Sequence, residues 1–297
     1  MGTVCLTHRD CADGMMSAWV VRQRFPDAEV LFCDYHDALP DIPLGSDVII
    51  TDFSYAGNEL LKFIVSPQVK SLLLLDHHPR SKEIVDNVLN GLAILQNLGL
   101  FNKPVGLYYD ASKSGALMAW MHFFPDKAVP EPVAFVSDRD LWQFKLPKTK
   151  DFMAGLLSYP LDLNVWSNLL CQSSVVEVML AIAPHAVRIQ QAAVGWAIEH
   201  TLRTIEITGL VTLDDNGIQV YEAPLINCAH GVTSDACALL AKDHLFAMAY
   251  YDTTTHRKFS LRSNGFDCQL IANFYCGGGH AKAAGFAVPR NHPLATI

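Results

Sequence analysis

The stretch "LLLLDHHP", residues 72–79, joins a strand signal to polar groups that are costly to bury. Four consecutive leucines predict a strand that runs through a hydrophobic core. The aspartate and the two histidines that follow lose their hydration if they are buried, and proteins tolerate that loss only where each group has a partner. The stretch therefore predicts a core strand that ends in groups needing partners.

Further apolar runs in the first half of the chain, "TVCLTH", "AEVLFCDY" and "DVIITDFS", alternate with helical patterns such as "DGMMSAWVVRQRF" and "AGNELLKFIV". Near-continuous apolar strands separated by helices are typical of a parallel sheet that is covered by helices on both faces. Three of these strands end in polar clusters, at residues 7–10, at Asp52 and at residues 76–78. Because sites in open α/β sheets lie beyond the carboxyl ends of the strands, we expect the three clusters to share one crevice.

The second half of the chain has a different pattern. Residues 173–202 predict a long helical connection that is interrupted by Pro184, whereas residues 84–110 mix short apolar segments with turn residues and give no clear assignment. Beyond the connection, "RTIEITGLVTL" and "IQVYEAPL" flank the turn sequence "DDNG", which predicts a hairpin. Alternating strands and helices follow and indicate a smaller α+β domain.

These patterns predict two domains and the segment between them. The first domain covers residues 1–185, the helical connection covers 186–202, and the second domain covers 203–297. No apolar run reaches the roughly 18 residues that a membrane span needs, and the first residues lack a secretion signal. We therefore expect no membrane partner.

Eight scattered cysteines without a C-x-x-C pair fit a reducing cytoplasm, where we expect most of them, Cys11 and Cys276 included, to act as small buried apolar groups. The net charge of −8 is a stronger constraint. Proteins that track long nucleic acids present broad basic surfaces, since neutralising phosphates supplies most of the affinity. A nucleic-acid partner of this chain should therefore be short and held locally, not a long duplex.

Histidines and carboxylates near the predicted strand ends form a candidate metal-ligand set. Its members are His8, Asp10, Asp13, Asp52, His77 and Asp138. Nitrogen and oxygen ligands without a thiolate suit Mn²⁺, Mg²⁺, Fe²⁺ or Co²⁺ better than structural zinc. Six ligands are too many for one ion but fill two neighbouring sites if one carboxylate bridges them. Any one of these residues alone is more often a helix cap, a turn residue or a hydrogen-bonded core group.

A glycine-rich stretch near the end of the chain, "GGGHAKAAGF" at residues 277–286, is a candidate anion site. Glycines let backbone N–H groups approach a ligand closely, and His280 and Lys282 add donors. The alternative is a flexible turn before the strand "AGFAV". Arg262, in "SLRS", could hold a phosphate through two hydrogen bonds, although an ordinary surface ion pair is the commoner use of such a residue.

Five motifs, "HRDCADG", "TDFS", "DHH", "VSDRD" and "GGGHAKAAGF", occur in the order and approximate spacing of the DHH phosphoesterase superfamily with its DHH-associated C-terminal domain. The chain resembles this family over nearly its whole length, and is most similar to the nanoRNase-like and dinucleotide-hydrolysing members. The resemblance implies an α/β fold, with a parallel sheet flanked by helices, a smaller α+β C-terminal domain and an active site in the cleft between them.

The resemblance also implies roles for individual residues. His8 and Asp10 would bind a first ion, Asp13, His77 and Asp138 a second, and Asp52 would bridge both. Asp76 would orient His77, and His78 would face the substrate phosphate, so that Asp52, Asp76 and His78 are the expected catalytic residues. Arg262, Gly278, Gly279 and His280 would hold the far side of the substrate.

One departure from the family pattern and one alternative concern the acidic ligands. Where many members of the family have Asp-x-Asp, this chain has Asp10-Cys-Ala-Asp13, which is a departure from the family pattern. For the last ligand position Asp140 is a rival to Asp138, which is preferred. The ions in this family are commonly Mn²⁺, with Mg²⁺ or Co²⁺ as alternatives.

The expected activity is hydrolysis of a phosphodiester by two ions about 3.5–4 Å apart, which lower the pKa of a bridging water. The expected substrates are short RNA fragments or linear dinucleotides such as pGpG, which would be cut to mononucleotides. Alternatives are a phosphatase of small nucleotides such as pAp, a cyclic-dinucleotide phosphodiesterase and a nucleotide-binding module without catalysis. A homodimer is left open.

Overall fold

A sheet of five parallel strands forms the centre of the first of two units, Met1–Ala186 and Val187–Ile297. The strands are β1 (Thr3–His8), β2 (Glu29–Cys33), β3 (Ser46–Thr51), β4 (Val69–Asp76) and β5 (Val105–Tyr109). The structure is a computed structural model and describes residues 2–35, 37–213 and 217–297. The strand order is β2-β1-β3-β4-β5, so the direction of winding reverses between β1 and β3. Such a reversal opens a crevice at the carboxyl ends of the two strands.

Helices cover both faces of this sheet. They are α1 (Ala12–Arg24), α2 (Gly57–Val65), α3 (Pro79–Asn97), α4 (Gly115–Phe123), α5 (Glu131–Asp140), α6 (Thr149–Leu156) and α7 (Leu163–Leu170). Successive side chains of a strand point to opposite faces. Val48 and Ile50 accordingly belong to the core that α2 and α3 close, whereas Ile49 packs with Val21 of α1. The strand positions therefore alternate between two cores, as the near-continuous apolar runs predicted.

The segment without a sequence assignment, residues 84–110, contains most of α3 and all of β5. Val85, Val88 and Leu92 bury one face of α3 at helical spacing. β5 pairs in parallel with β4 and closes one edge of the sheet. The unassigned segment thus completes the same α/β pattern.

The predicted connection is part of one helix, α8 (Val175–Thr201), which contains Pro184 without ending there. Val175 and Met179 pack in a core of the first unit, whereas Val194 and Ala197 pack in a core of the second. Among the described residues no single helix is long and apolar enough to cross a membrane, and α7 and α8 meet that test only as a pair bent by 117°.

The second unit is built on a mixed sheet of six strands in the order β10-β11-β9-β8-β7-β6. Its elements are β6 (Arg203–Leu210), β7 (Ile218–Asn227), α9 (Thr233–Leu240), β8 (Ala247–Asp252), β9 (His256–Arg262), α10 (Gln269–Ala272), β10 (Gly278–His280) and β11 (Ala283–Pro289). β6 and β7 pair antiparallel, as the hairpin prediction requires. The predicted turn "DDNG" includes residues 214–216, which lie outside the described residues. A parallel α/β sheet followed by a smaller α+β unit confirms the expected fold class.

Cysteines are mostly buried, as their scattered distribution predicted. Cys5, Cys33, Cys228, Cys237 and Cys268 are buried and Cys11 is half-buried. The prediction is wrong for Cys276, which is exposed and has a left-handed backbone with φ of 59°. Its position directly after a turn of 3₁₀ helix explains the difference, because a left-handed residue ends that turn.

Gly14 sets the distance between α1 and β1, and its replacement tests this packing. A Cβ atom at Gly14 would lie 2.2 Å from the main-chain oxygen of His8. We expect Gly14→Ala to lower the free energy of unfolding by about 1–3 kcal/mol, the usual cost of overpacking, in urea titrations of the metal-free protein. At Gly57 a Cβ atom would meet only Val88, at 3.8 Å. Gly57→Ala should therefore stay within about 1 kcal/mol of the wild type, and equal stability of both variants would contradict this account of Gly14.

Asp252 stabilises the second unit through a buried cation. Arg257 is only 6% exposed, and its Nε and Nη2 donate to the two carboxylate oxygens of Asp252 at 2.8 and 3.1 Å. The hydrogen bonds from Arg257, together with Arg290 and against the effect of burial, lower the pKa of Asp252 from 3.8 to about 2. A carboxyl whose pKa is lowered by folding stabilises the fold above its unfolded pKa, and this contribution disappears as the pH falls through the folded pKa.

We therefore expect Asp252→Asn to be less stable than the wild type at pH 7, by about 1–3 kcal/mol, because Arg257 loses its charged acceptor. The difference should narrow as the pH falls from about 4 towards 2, where the wild-type carboxyl also becomes neutral. Chemical unfolding across this pH range measures both effects. Asp243→Asn, which changes an exposed carboxylate of the same unit, is the matched control. A stability difference between Asp252→Asn and the wild type that stayed constant down to pH 2 would refute the stabilising role of the charged Asp252.

Candidate metal centre

Three strand ends bring polar side chains together at the carboxyl edge of the parallel sheet. His8 ends β1, Asp52 follows β3, and His77 follows β4. Nε2 of His77 lies 3.1 Å from Oδ1 of Asp52, and Nδ1 of His8 lies 3.8 Å from Oδ2 of the same carboxylate. Asp52 and His77 are fully buried, and the His8 side chain is 21% exposed. The polar clusters of β1, β3 and β4 therefore meet at the reversal of strand order.

Asp13, in the first turn of α1, adds a second buried carboxylate. Its Oδ2 lies 4.0 Å from Nε2 of His77, and it accepts a hydrogen bond of 3.2 Å from the backbone N–H of Ala116. Because Thr7 donates to the main-chain oxygen of Gly14 at 2.9 Å, the start of α1 is fixed against β1. The carboxylate of Asp13 therefore lies near the carboxyl ends of the neighbouring strands.

The amino end of α4 also contacts the centre, which the sequence did not predict. A Cβ atom at Gly115 would lie 2.7 Å from Cβ of Asp52, so only glycine allows this approach. The Ser114 hydroxyl caps α4 by accepting from the N–H of Leu117 at 3.4 Å. A helix amino end carries a partial positive charge and favours nearby carboxylates. The run of small residues "SGA" at the start of a helical pattern is the signal that could have predicted it.

Two groups of ligand atoms overlap at Asp52. In each group the atoms lie within 4.8 Å of one another, and the groups are Asp13, Asp52, His77 and His8, Asp52, His78. One carboxylate thus belongs to both groups. This arrangement agrees with the bridging role that the resemblance implies for Asp52, and it gives each group both carboxylate oxygen and imidazole nitrogen.

The electrostatics of Asp52 and His77 fit a divalent cation. Burial raises the pKa of Asp52 well above its usual range, and the neighbouring Cys11, Asp13 and Asp140 raise it further. Burial also lowers the pKa of His77 to about 4, so that its imidazole is neutral at pH 7, the form that binds metals. Within the described part of the chain Oδ2 of Asp52 is buried without a hydrogen-bond partner. A cation would stabilise the ionised carboxylates that burial otherwise disfavours.

Asp52 also has an unusual backbone, with φ of 61°. This left-handed region is uncommon for residues other than glycine, although aspartate tolerates it better than most. Such conformations cost free energy and persist where the surrounding structure fixes them. Here the N–H of Asp52 donates to the main-chain oxygen of Leu75 in β4 at 3.1 Å. The turn directs the carboxylate towards the histidines.

Asp76 holds the ring of His78, and its predicted role in orienting the ring of His77 stays a prediction. Its Oδ1 accepts from Nδ1 of His78 and from the backbone N–H of His77, both at 2.8 Å, while the Ser81 hydroxyl donates to Oδ2. Burial would raise the pKa of Asp76, but the charge and hydrogen bond of His78 lower it to about 2. Asp76 therefore contacts the His78 ring directly and His77 through its backbone N–H.

The two rival acids near the end of α5 make different contacts, and which of them is the metal ligand stays a prediction. Asp138 accepts hydrogen bonds from the N–H groups of Lys145 and Leu146 at 2.8 and 3.0 Å, and from the Thr149 hydroxyl. Burial would raise its pKa, but these bonds lower it. Asp140, by contrast, places Oδ2 3.4 Å from Nε2 of His77. Asp138 therefore organises the loop that follows α5, and Asp140 is the acid beside the candidate ligands.

Asp10 lies outside the two overlapping groups, and its predicted role as a ligand of the first ion stays a prediction. It is exposed, its φ is 53°, and neither group among the described residues includes it. Its backbone is left-handed directly after β1, and the described group around His8 contains Asp52 and His78.

Tyr35 is a further residue of the centre that sequence reasoning missed. Its ring centroid lies 5.1 Å from that of His8 and 5.9 Å from that of His78, both in edge-to-face geometry. It follows β2, which lies beside β1. The sequence "CDYHD" gives this strand a polar end as well. That pattern could have predicted that Tyr35 lies near the centre.

In the second unit, Arg262 ends β9. Its Nη2 donates to the Ser234 hydroxyl and its Nη1 to the main-chain oxygen of Leu261, both at 2.7 Å. Ser234 lies in the first turn of α9, so this helix orients the guanidinium. The predicted phosphate-binding role of Arg262 stays a prediction.

The glycine-rich stretch forms a strand, since Gly278, Gly279 and His280 pair antiparallel with residues 283–285 of β11. A Cβ atom at Gly277 would lie 2.2 Å from the main-chain oxygen of Gly285, and Gly279 has φ of 131°. Packing against β11 therefore accounts for these two glycines. Only at Gly278 would a Cβ atom meet open space, so the predicted anion contact of this stretch depends on that position and on His280.

Paired substitutions distinguish the roles of Asp138 and Asp140. We expect Asp140→Asn to weaken Mn²⁺ binding at least about tenfold, since changes around a metal site typically cost 10- to 100-fold, with little effect on the stability of the metal-free protein. Asp138→Asn should instead destabilise the metal-free protein by about 1–3 kcal/mol, because several loop donors lose their acceptor. Calorimetric Mn²⁺ titration and urea unfolding of both variants measure these effects. The opposite pattern would return the ligand role to Asp138.

Comparison with known proteins gives distant similarities. No protein-family model matches the chain. The chain is 25% identical over 309 residues to the uncharacterized protein R106 of Acanthamoeba polyphaga mimivirus, across 96% of this chain and 67% of that protein. A similar solved structure is PggH, a pGpG-specific phosphodiesterase from Vibrio cholerae, with 14% identity, a TM-score of 0.45 and coverage of 97% of this chain and 93% of that chain.

A second solved structure is RecJ from Thermus thermophilus in complex with Mn²⁺. It shares 13% identity with a TM-score of 0.48, and the match covers 96% of this chain and 49% of RecJ. The chain resembles the DHH phosphoesterase superfamily in its five ordered motifs, and the structure places the first three of them at the carboxyl ends of adjacent parallel strands.

Proposed function

We propose that this chain is a divalent-metal-dependent phosphodiesterase that cuts short RNA or linear dinucleotides such as pGpG to mononucleotides, with Mn²⁺ as the preferred ion. The observation that carries the proposal is the sharing of Asp52 by two groups of ligand atoms, Asp13 and His77 on one side and His8 and His78 on the other. Metal pairs bridged in this way are typical of enzymes that displace groups at phosphorus.

The residues that would hold the ions are Asp13, Asp52 and His77 in one group and His8 and Asp52 in the other, with Asp140 beside His77. When bound, the ions would acidify a water and offset the negative charge of the phosphate, chemistry that no side chain here supplies alone. Asp52, which belongs to both groups, would hold both ions. His77 stays neutral at pH 7 because burial lowers its pKa to about 4.

His78 is the residue that we assign to the substrate phosphate. Asp76 holds Nδ1 of its ring at 2.8 Å, so any contact with a phosphate or an ion has to be made through Nε2. Burial alone would lower the pKa of His78, but Asp76 raises it above its usual value, which favours the charged ring. A cation held in this way attracts phosphate oxygens.

The second unit would contribute the remaining contacts. We assign Arg262, Gly278, Gly279 and His280 to the far side of the substrate, which follows the resemblance. Gly278 supports this assignment because no neighbouring atom would contact a side chain there. That the two units share one active-site cleft stays a prediction, as do the cytoplasmic location and a homodimer.

The charge of the chain favours short substrates over long ones. With 30 acidic residues against 22 lysines and arginines, the chain offers little general attraction to a polyanion. Attraction would therefore come from the bound ions and from local basic groups. A phosphatase of small nucleotides such as pAp, a cyclic-dinucleotide phosphodiesterase and a binding module without catalysis are the alternatives that the following experiment separates.

The purified chain should convert labelled pGpG to pG in the presence of Mn²⁺, and chelation with EDTA should stop the reaction until Mn²⁺ is restored. Asp52→Asn should lower kcat/KM at least about 100-fold, because the ions supply several kcal/mol of transition-state stabilisation. Asp47→Asn is the matched control. Asp47 lies at the opposite end of the same strand and pairs with Lys70 at 3.0 Å, so its loss should leave turnover unchanged.

Three results would contradict the proposal. Binding of pGpG without turnover would indicate a non-catalytic module, faster cleavage of pAp than of any dinucleotide would indicate a phosphatase, and a preference for cyclic dinucleotides would indicate the cyclic-dinucleotide enzyme. Comparison of kcat/KM for pGpG, pApA, pAp, a cyclic dinucleotide and longer RNA decides between them.

A further inference from the structure

Tyr35 contacts two histidines of one group of candidate ligand atoms. Its ring centroid lies 5.1 Å from that of His8 and 5.9 Å from that of His78, and the two imidazole centroids are 6.0 Å apart. All three pairs meet edge to face, the arrangement that the charge distribution of aromatic rings favours. We call these three rings the ring triangle. Each ring of the triangle limits the rotation of the other two.

The ring triangle lies at the more exposed of the two groups of ligand atoms. The side chains of His8 and His78 are 21% and 16% exposed, whereas those of Asp13 and His77 are fully buried. Side chains in a close-packed core are held in single rotamers by their neighbours. A side chain that reaches the surface has fewer such contacts, so each contact matters more to its direction. Tyr35 supplies one of these contacts to both histidines.

The ring of Tyr35 is itself supported from the core. Phe53, which is buried and follows Asp52, meets the Tyr35 ring edge to face at 6.3 Å. Phe53 packs in turn against the buried ring of Tyr55 at 5.1 Å. Two buried aromatic side chains therefore lie behind Tyr35 and fix its ring against the strand ends.

Hydrogen bonds also tie the segment that carries Tyr35 to the end of β1. Oδ2 of Asp37 accepts from Nη2 of Arg9 at 2.7 Å and from the backbone N–H of Asp34 at 2.9 Å. The backbone N–H of Tyr35 donates to Oδ1 of Asp34 at 2.8 Å. Because Arg9 directly follows His8, these bonds hold Tyr35 and His8 in one local framework.

We propose that Tyr35 is a positioning residue, whose ring fixes the direction of His8 towards an ion and of His78 towards the substrate phosphate. The inference rests on the proposed function, which it extends by naming the side chain that sets the angle between these two imidazoles. Residues that orient a metal-binding histidine are important for metal affinity although they do not touch the ion. One ring that contacts both imidazoles places the ion ligand and the phosphate contact relative to each other before either ligand binds.

Calorimetric titration of the full-length metal-free protein with Mn²⁺ tests the contact with His8. In Tyr35→Leu, which has no flat face, we expect one of two binding steps to weaken about 10- to 100-fold, the usual cost of losing a side chain that orients a ligand. The other step should stay within about threefold of the wild type, as expected for a site that the change does not reach. Tyr35→Phe keeps the ring and should bind both ions as the wild type does.

Two further variants assign the weakened step. Asp13→Asn changes a member of the buried group alone, so it should weaken the step that Tyr35→Leu leaves unchanged. Tyr108→Leu is the matched control, because it also removes a tyrosine ring from an imidazole, that of His122 at 5.8 Å. Tyr108 is 51% exposed on β5, and its loss should change neither step.

Steady-state kinetics with pGpG in excess Mn²⁺ test the contact with His78. When both ion sites are saturated, lost ion affinity no longer limits turnover, and the remaining defect reports on the phosphate contact. We expect kcat/KM of Tyr35→Leu to stay about 10- to 100-fold below the wild type, because small misplacements at a reacting centre cost up to about this factor. Tyr35→Phe should recover wild-type turnover, and full recovery of Tyr35→Leu in excess Mn²⁺ would refute the role towards His78.

Three results of the titration overturn the inference. The first is unchanged Mn²⁺ binding in Tyr35→Leu. The second is equal weakening of both steps, which would indicate a general loss of structure. The third is a Tyr35→Phe variant that binds as weakly as Tyr35→Leu, since the hydroxyl and not the ring would then be responsible. If Tyr35→Leu does not fold, Tyr35→Met, whose flexible side chain fills irregular space, replaces it with the same expected results.

Metal binding separates this inference from the proposed function. If Tyr35→Leu loses one Mn²⁺ step but the wild type never cleaves a nucleotide, the role of Tyr35 towards His8 stands and the phosphodiesterase proposal fails. If the wild type cleaves pGpG and Tyr35→Leu equals it in Mn²⁺ binding and in kcat/KM, the phosphodiesterase stands and the role of Tyr35 fails. A wild type that neither binds Mn²⁺ nor cleaves pGpG refutes both.

Discussion

Burial of negative charge is the constraint on which the rest of the first unit depends. Asp13 and Asp52 are fully buried within a few ångströms of each other, and Asp140 lies close by. Burial and mutual repulsion disfavour several ionised carboxylates in one place, unless a positive charge offsets them. The hydrogen bond from Ala116 and the amino end of α4 offset part of this charge. A bound cation would offset the remainder, so the stability of this arrangement and its chemistry have the same source.

The fold could be predicted where the buried apolar residues recur along the sequence at one clear spacing. The strands that carry the site are buried on both faces, so their apolar runs are continuous and their polar ends are abrupt. α3 was not predicted because it has apolar residues outside its buried face as well as on it. Leu89 and Ile94 are 43% and 61% exposed, and they obscure the spacing of the buried residues. β5 lies at the edge of the sheet, and Pro104 and Gly106 weaken its strand pattern.

The candidate site could be predicted as far as the strand ends define it. His8, Asp52 and His77 follow from the rule that sites lie at the carboxyl ends of parallel strands. The remaining contacts depend on side-chain direction, which spacing does not determine. Asp138 and Asp140 are two residues apart on one helix, yet one binds a loop and the other faces His77. Asp76 precedes two histidines, and only the structure shows which ring it holds. The close approach of α4 to Asp52 could not be predicted, because it depends on where Gly115 lies in the folded chain.

The left-handed backbone at Asp52 has an evolutionary consequence. Glycine adopts such a conformation without steric cost, so a change of Asp52 to glycine would relax the main chain while removing the carboxylate common to both ligand groups. Selection for stability and selection for chemistry therefore act in opposite directions at this position. A lineage that no longer needed the reaction would gain stability by losing this side chain. Descendants without the acid would then keep the sheet and its helices. They could be recognised by their fold, although the sequence motif that contains Asp52 would be lost.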